Sequence, residues 1–232
     1  MATQALLIPW LIAVLSNSPP AKPPDHVTRE LEGWTVRIDS RLLEGEAKPV
    51  GEHAIRLLSN RLHEIAFILP ADRVARLRQV TIQLDLSHGE LVTPQYHPSA
   101  EWLAEHGYSR SLARCVHIPD AREWSSRRHQ TVQPWSTLHE LAHAYHDQVL
   151  GFDHPGIVAA WERFRADPRT EQVRHIDGGL ESHYGRTDPM EYFAEMTETL
   201  FGTNDFSPFN RGELTADRPE DLALMRKVWG VD

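Results

Sequence analysis

From Asp25 onward the hydrophobic and polar positions fall into patterns that predict a short series of elements. Trp34-Thr-Val-Arg-Ile-Asp alternates as a first strand, and Val80-Thr-Ile-Gln-Leu-Asp-Leu predicts a second with Val80, Ile82, Leu84 and Leu86 on its buried side. Between them, residues 52–69 repeat Ile55, Leu58, Leu62, Ile65 and Leu69 at helical spacing, and Pro70 ends the run. Residues 97–107 read as a short helical turn, and 113–118 hold a third strand containing Cys115.

The second half of the chain is helical in pattern. Leu138, Ala142, Tyr145 and Val149 mark the core face of a helix, with Ser136 and Thr137 as N-cap candidates, Thr137 and Glu140 as a capping box, and Gly151 as terminator. Residues 157–164 predict a helix carrying Trp161, and 172–182, with Asp177-Gly-Gly, a hairpin or loop. From Asp188 to Gly202 the signals are strong: Asp188 as N-cap, Pro189 at the first helical position, Glu191 completing a capping box and Gly202 as stop. Tyr192, Phe193, Met196 and Leu200 give that helix its apolar side, and 219–229 predict a last amphipathic helix with Leu222, Met225, Val228 and Trp229. These elements predict an α+β class.

Residues 1–24 differ from the rest. Residues 5–15 are largely apolar, interrupted by Pro9, and are followed by Ser-Asn-Ser and Pro-Pro-Ala-Lys-Pro-Pro. The run has the length of a secretory signal core and is too short to span a bilayer, although Met-Ala-Thr-Gln before it carries no Lys or Arg. The expectation is a signal peptide with a proline-rich spacer over 1–24 and one domain over 25–232, giving a secreted or periplasmic protein. A cytoplasmic chain with an uncleaved tail is the alternative.

At 232 residues, 41% hydrophobic and 25% charged, the chain can bury a full core without staples. The net charge of −9 argues against nucleic acid or an anionic membrane as the partner. One cysteine, Cys115, excludes an intramolecular disulfide and reads as packing.

Chemistry enters at His139-Glu-Leu-Ala-His143, an HExxH pattern. Four residues apart on a helix, His139 and His143 share a face and reach one metal ion. Glu140 lies about 100° around the helix, placed to hold a water rather than to be a third ligand. His146 is about 10 Å of helix rise from His139, too far to join them. His146 and Val149 also stand where the extended HExxHxxGxxH motif needs Gly and His, which excludes that class. The downstream helix offers an acidic stripe of Glu191, Glu195 and Glu198.

A glutamate helix facing an HExxH helix is the gluzincin arrangement, and HELAH at 139–143 with EYFAE at 191–195 resembles the catalytic domain of anthrax lethal factor and its relatives. The resemblance covers residues 135–209. It implies a zincin-like fold, a small sheet followed by the HExxH helix and a second glutamate-bearing helix. It also implies one Zn2+ on His139, His143 and Glu191, with Glu140 as general base to a metal-activated water. Tyr184, seven residues before Glu191, matches the family's oxyanion-supporting tyrosine. Glu195 is expected to orient a zinc-bound histidine. The implied activity is a zinc-dependent endopeptidase acting on a peptide or protein substrate, run alongside the sheet as an added strand. A non-catalytic zinc-containing binding module and a zinc hydrolase of a non-peptide amide are the alternatives.

Of the fourteen histidines, His183, beside Tyr184, is the candidate substrate contact, and Arg186 has similar standing. His117, in a predicted strand, is placed to approach the metal. His26, His53, His63, His88, His97, His106, His129 and His175 read as surface or packing, and His154 as structural.

Overall fold

The computed structural model of the protein describes residues 25–232. The apolar run and spacer at 1–24 lie outside the described residues. The chain is mixed α+β. Strands β1 (His26–Leu31) and β2 (Trp34–Asp39) form an antiparallel hairpin, followed by helices α1 (Lys48–Ile68) and α2 (Ala71–Leu77). Then come β3 (Ile82–Leu84), β4 (Gln95–Tyr96), α3 (Ala100–Glu105) and β5 (Val116–Ile118). Short helices α4 (Ala121–Trp124) and α5 (Arg127–Val132) lead into α6 (Ser136–Tyr145), continued by a π-helical turn His146–Leu150. The remainder is α7 (Pro155–Ala166), a small hairpin of β6 (Val173–Arg174) and β7 (Leu180–Glu181), α8 (Pro189–Phe201), α9 (Arg211–Asp217) and α10 (Pro219–Trp229).

The main sheet has the order β1-β2-β3-β5-β4, parallel from β2 through β3 to β5 and antiparallel at both edges. The expected second strand over 80–86 shortens to Ile82–Leu84, and all three residues are buried. A central strand covered on both faces has no solvent side, so the alternation read in the sequence does not describe it. β1 was not anticipated: Val-Thr-Arg-Glu points four exposed residues outward, and the strand is held by pairing with β2 and by His26 at Asp85.

Helix α1 starts four residues before the expected 52, with a proline in its first turn, and buries Leu58, Leu62 and Ile65 as predicted. Two expectations for α6 fail. Thr137 does not cap it, since the helix begins at Ser136 and Thr137 is buried with its hydroxyl unpartnered. Val149 is exposed because the π turn widens the helix after Tyr145 and rotates the following residues off the core face. Asp188 caps α8 as expected, accepting from the amides of Met190 (2.8 Å) and Glu191 (2.9 Å).

Helices α6 and α8 pack on each other along their length. Gly202, just past α8, lies flat against the Trp135 indole at the start of α6, where any Cβ would collide with the ring. Behind α8, α10 contributes Trp229 Nε1 donating to Thr197 Oγ1 (3.0 Å), and the Tyr192 hydroxyl donates to Asp221 (2.8 Å). The helix is thus fixed in rotation, which decides where its carboxylates point. No helix among the described residues is long and apolar enough to cross a membrane.

Candidate metal centre and cleft

A cleft of about 600 Å³ runs between edge strand β4 and helices α6 and α8. At its floor the helix spacing delivers His139 and His143 side by side, their rings 4.7 Å apart. From α8, Glu191 Oε2 stands 3.1 Å from His139 Nε2 and 3.4 Å from His143 Nε2. Ligands about 2.0–2.1 Å from a tetrahedral ion lie about 3.3 Å from one another, so these three atoms have the spacing of a metal set. Together they form one of several His, Glu and Asp groups positioned to hold a metal ion.

Behind His139, its Nδ1 donates to Glu198 Oε1 at 2.7 Å, which fixes the tautomer and turns the Nε2 lone pair toward Glu191. The expected orienting residue, Glu195, is 3.7 Å from the same nitrogen and is instead held by Asn204 Nδ2 at 3.1 Å. The residue that does the orienting is Glu198. Its signal was present as the far end of the acidic stripe, two helical turns from Glu191. Tyr184 lies half exposed on the cleft wall with its hydroxyl 3.4 Å from Glu191 Oε1.

Glu140 also faces the cleft and accepts a 2.6 Å bond from the Tyr96 amide of β4. The Tyr96 hydroxyl donates to Asp147 Oδ2 at 2.6 Å, giving Asp147 a partner and placing β4 firmly over α6. Nothing in the sequence singled out Tyr96. Deeper in the cleft stands Asp205, held by Gln133 Nε2 at 3.0 Å.

The electrostatics follow from burying several carboxylates together. Burial pushes the Glu140 carboxyl up, and it pushes up Glu198 and, further, Glu195, which also feels the charge of Glu198. For Glu191 burial acts the same way, but the bonds to His139 and His143 outweigh it and hold the group well below the carboxylate range. Burial works against charge on His139, yet Glu191 and Glu198 raise its pKa well above the ordinary histidine value. The site favours positive charge at His139. Burial, with Glu191 adding to it, pushes the Tyr184 phenol up to about 12, so it stays a hydrogen-bond donor at neutral pH.

His183 does not line the cleft. It is buried against Phe164 and Phe206, accepts from the Gly185 amide at 3.1 Å, and burial lowers its pKa to about 3. Its expected role as a substrate contact gives way to packing. Arg186 donates to Thr170 Oγ1 at 2.6 Å and braces the loop before α8. His117 faces Asp85, not His139. His146 is buried between Phe152 and Phe193 with neither ring nitrogen partnered. Compared with family models, curated proteins and solved structures, the chain matches none.

Proposed function

We propose that the protein is a zinc-dependent endopeptidase of zincin-like architecture. One observation carries the reading: His139, His143 and Glu191 converge at 3.1 and 3.4 Å on the floor of a cleft that Glu140 and Tyr184 also line. Two imidazoles and one carboxylate are the donors that zinc takes in hydrolases, with a further position left for solvent. A zinc ion held there would bring the pKa of a bound water down to near neutrality.

The chain's own groups account for the remaining chemistry. Glu140 accepts a proton from the attacking water and returns it to the departing amine, a role suited to a carboxyl whose pKa burial has raised above its ordinary value. Tyr184 donates to the oxygen of the carbonyl under attack, worth roughly 2–4 kcal/mol for a donor of this kind. Glu198 holds the His139 ring in one orientation. Edge strand β4, whose Gln95 lines the cleft together with the preceding Thr93 and Pro94, offers a place for an extended substrate to pair.

The test is zinc content and turnover of a peptide library on purified protein, wild type beside Glu140→Gln. About one cleft-bound zinc in both, with cleavage lost only in the variant, is expected. A variant that cleaves at the wild-type rate would remove Glu140 as base, and a library left uncut by wild type would turn the reading toward a non-peptide amide.

A further inference from the structure

A second convergence of histidines on a carboxylate lies across the sheet, formed by residues from three separate stretches of chain. Asp85, directly after β3, is fully buried. Its Oδ1 accepts from His26 Nε2 of β1 at 2.6 Å. Its Oδ2 meets His88 Nδ1 at 2.8 Å, His117 Nε2 of β5 at 2.9 Å and the Gln83 amide at 2.9 Å. A buried carboxylate needs compensating positive charge. His117, one of these partners, is itself completely enclosed.

The geometry points to a structural metal site on Asp85, His88 and His117, taking a divalent first-row transition ion such as zinc. These residues each present one ligand atom within 4.8 Å of the others. The outer partners are those a metal ligand requires. His26 occupies Oδ1 and leaves Oδ2 toward the two imidazoles, while His97 Nε2 stands 3.3 Å from His117 Nδ1, placed to accept its proton when Nε2 is the ligand atom. An ion about 2.0–2.1 Å from each ligand would spread the nitrogen–oxygen pairs to about 3.3 Å. His88 can absorb that spread, since it sits in the loop joining β3 to β4 with its side chain 17% exposed. Solvent would reach an ion there only past His88, the one partly exposed ligand.

The position gives the site a purpose. His117 pairs in register with Gln95, which lines the cleft, and His97 follows Tyr96, whose amide binds Glu140. An ion clamping His88 to His117 closes the loop that leads into β4 and fixes the edge strand where it meets the cleft.

The experiment is a zinc count on chelator-stripped, back-titrated full-length protein: wild type, Glu191→Ala, His88→Ala, His88→Gln and the Glu191→Ala/His88→Ala double variant. Two zinc ions per chain in wild type, one in each single variant and none in the double is the expected result. In Glu191→Ala, where this cluster is untouched, saturating zinc should raise the unfolding temperature by about 5 °C, and that rise should vanish in the double variant. Zinc that is absent from Glu191→Ala, or undiminished in both His88 variants, overturns the proposal. One zinc lost with His88 but kept without Glu191 would instead support this site and sink the cleft centre.

Discussion

Among the described residues two imidazoles approach one carboxylate oxygen at two places, and their surroundings separate them. At the cleft floor the contacts to Glu191 are 3.1 and 3.4 Å, and a half-exposed tyrosine stands beside them. Across the sheet the contacts to Asp85 tighten to 2.8 and 2.9 Å, and the carboxylate and His117 are wholly enclosed. The same donors serve different ends according to whether a coordination position stays open to a substrate. In the cleft a neighbouring carboxylate, Glu140, and a phenol, Tyr184, line the same space. Around Asp85 every nearby polar group is committed to holding another, as in a structural centre.

The comparison breaks most sharply at Glu191. Glu191→Ala should abolish measurable peptide cleavage and lose the cleft zinc while the Asp85 cluster keeps its ion; retained activity in a steady-state assay would end the distinction. Next in size, Glu140→Gln should keep its zinc and lower kcat by about 10²–10⁴-fold, the range for removing a general base. Tyr184→Phe should lower kcat by about 10²–10³-fold with KM little altered, because the lost donor acts on the developing oxyanion. An unchanged kcat would show the phenol is a bystander.

Smaller effects distinguish the two acidic residues behind His139. Glu198→Gln should weaken zinc binding by about 10–100-fold in a competition titration, whereas Glu195→Gln should change it much less. The reverse order would restore Glu195 as the orienting residue. Last, His88→Ala should lower the unfolding temperature by a few degrees in differential scanning calorimetry while the cleft keeps its zinc.

The cleft centre was legible because its parts are local. His139 and His143 are one helical turn apart, and the signals that start α8 at Asp188 and stop it at Gly202 set the helix that carries Glu191. The choice between Glu195 and Glu198 was not legible, since both lie on the stripe and only the packed rotation of α8 decides which reaches Nδ1. His183 read as a substrate contact beside Tyr184, yet the turn beginning at Tyr184 sends the two side chains opposite ways, one to the core and one to the cleft.

The Asp85 cluster was invisible for the opposite reason. His26, His88 and His117 share no spacing, and the parallel pairing of β3 with β5 is what brings His117 beside Asp85. β1 went unread because its exposed residues carry no apolar period. The central strands were found but drawn too long, because burial on both faces erases the contrast that marks strand ends.

Tyr96 touches α6 and the π turn that continues it, with its main-chain amide at Glu140 and its hydroxyl at Asp147, about two turns further along. One residue therefore acts as a gauge with two fixed arms, holding strand and helix at a set width over the length of the slot. On the peptidase reading, a slot of fixed width admits a single extended chain and turns away a folded one. Which proteins are cut would then depend first on where they expose a slack segment, and only afterwards on its side chains.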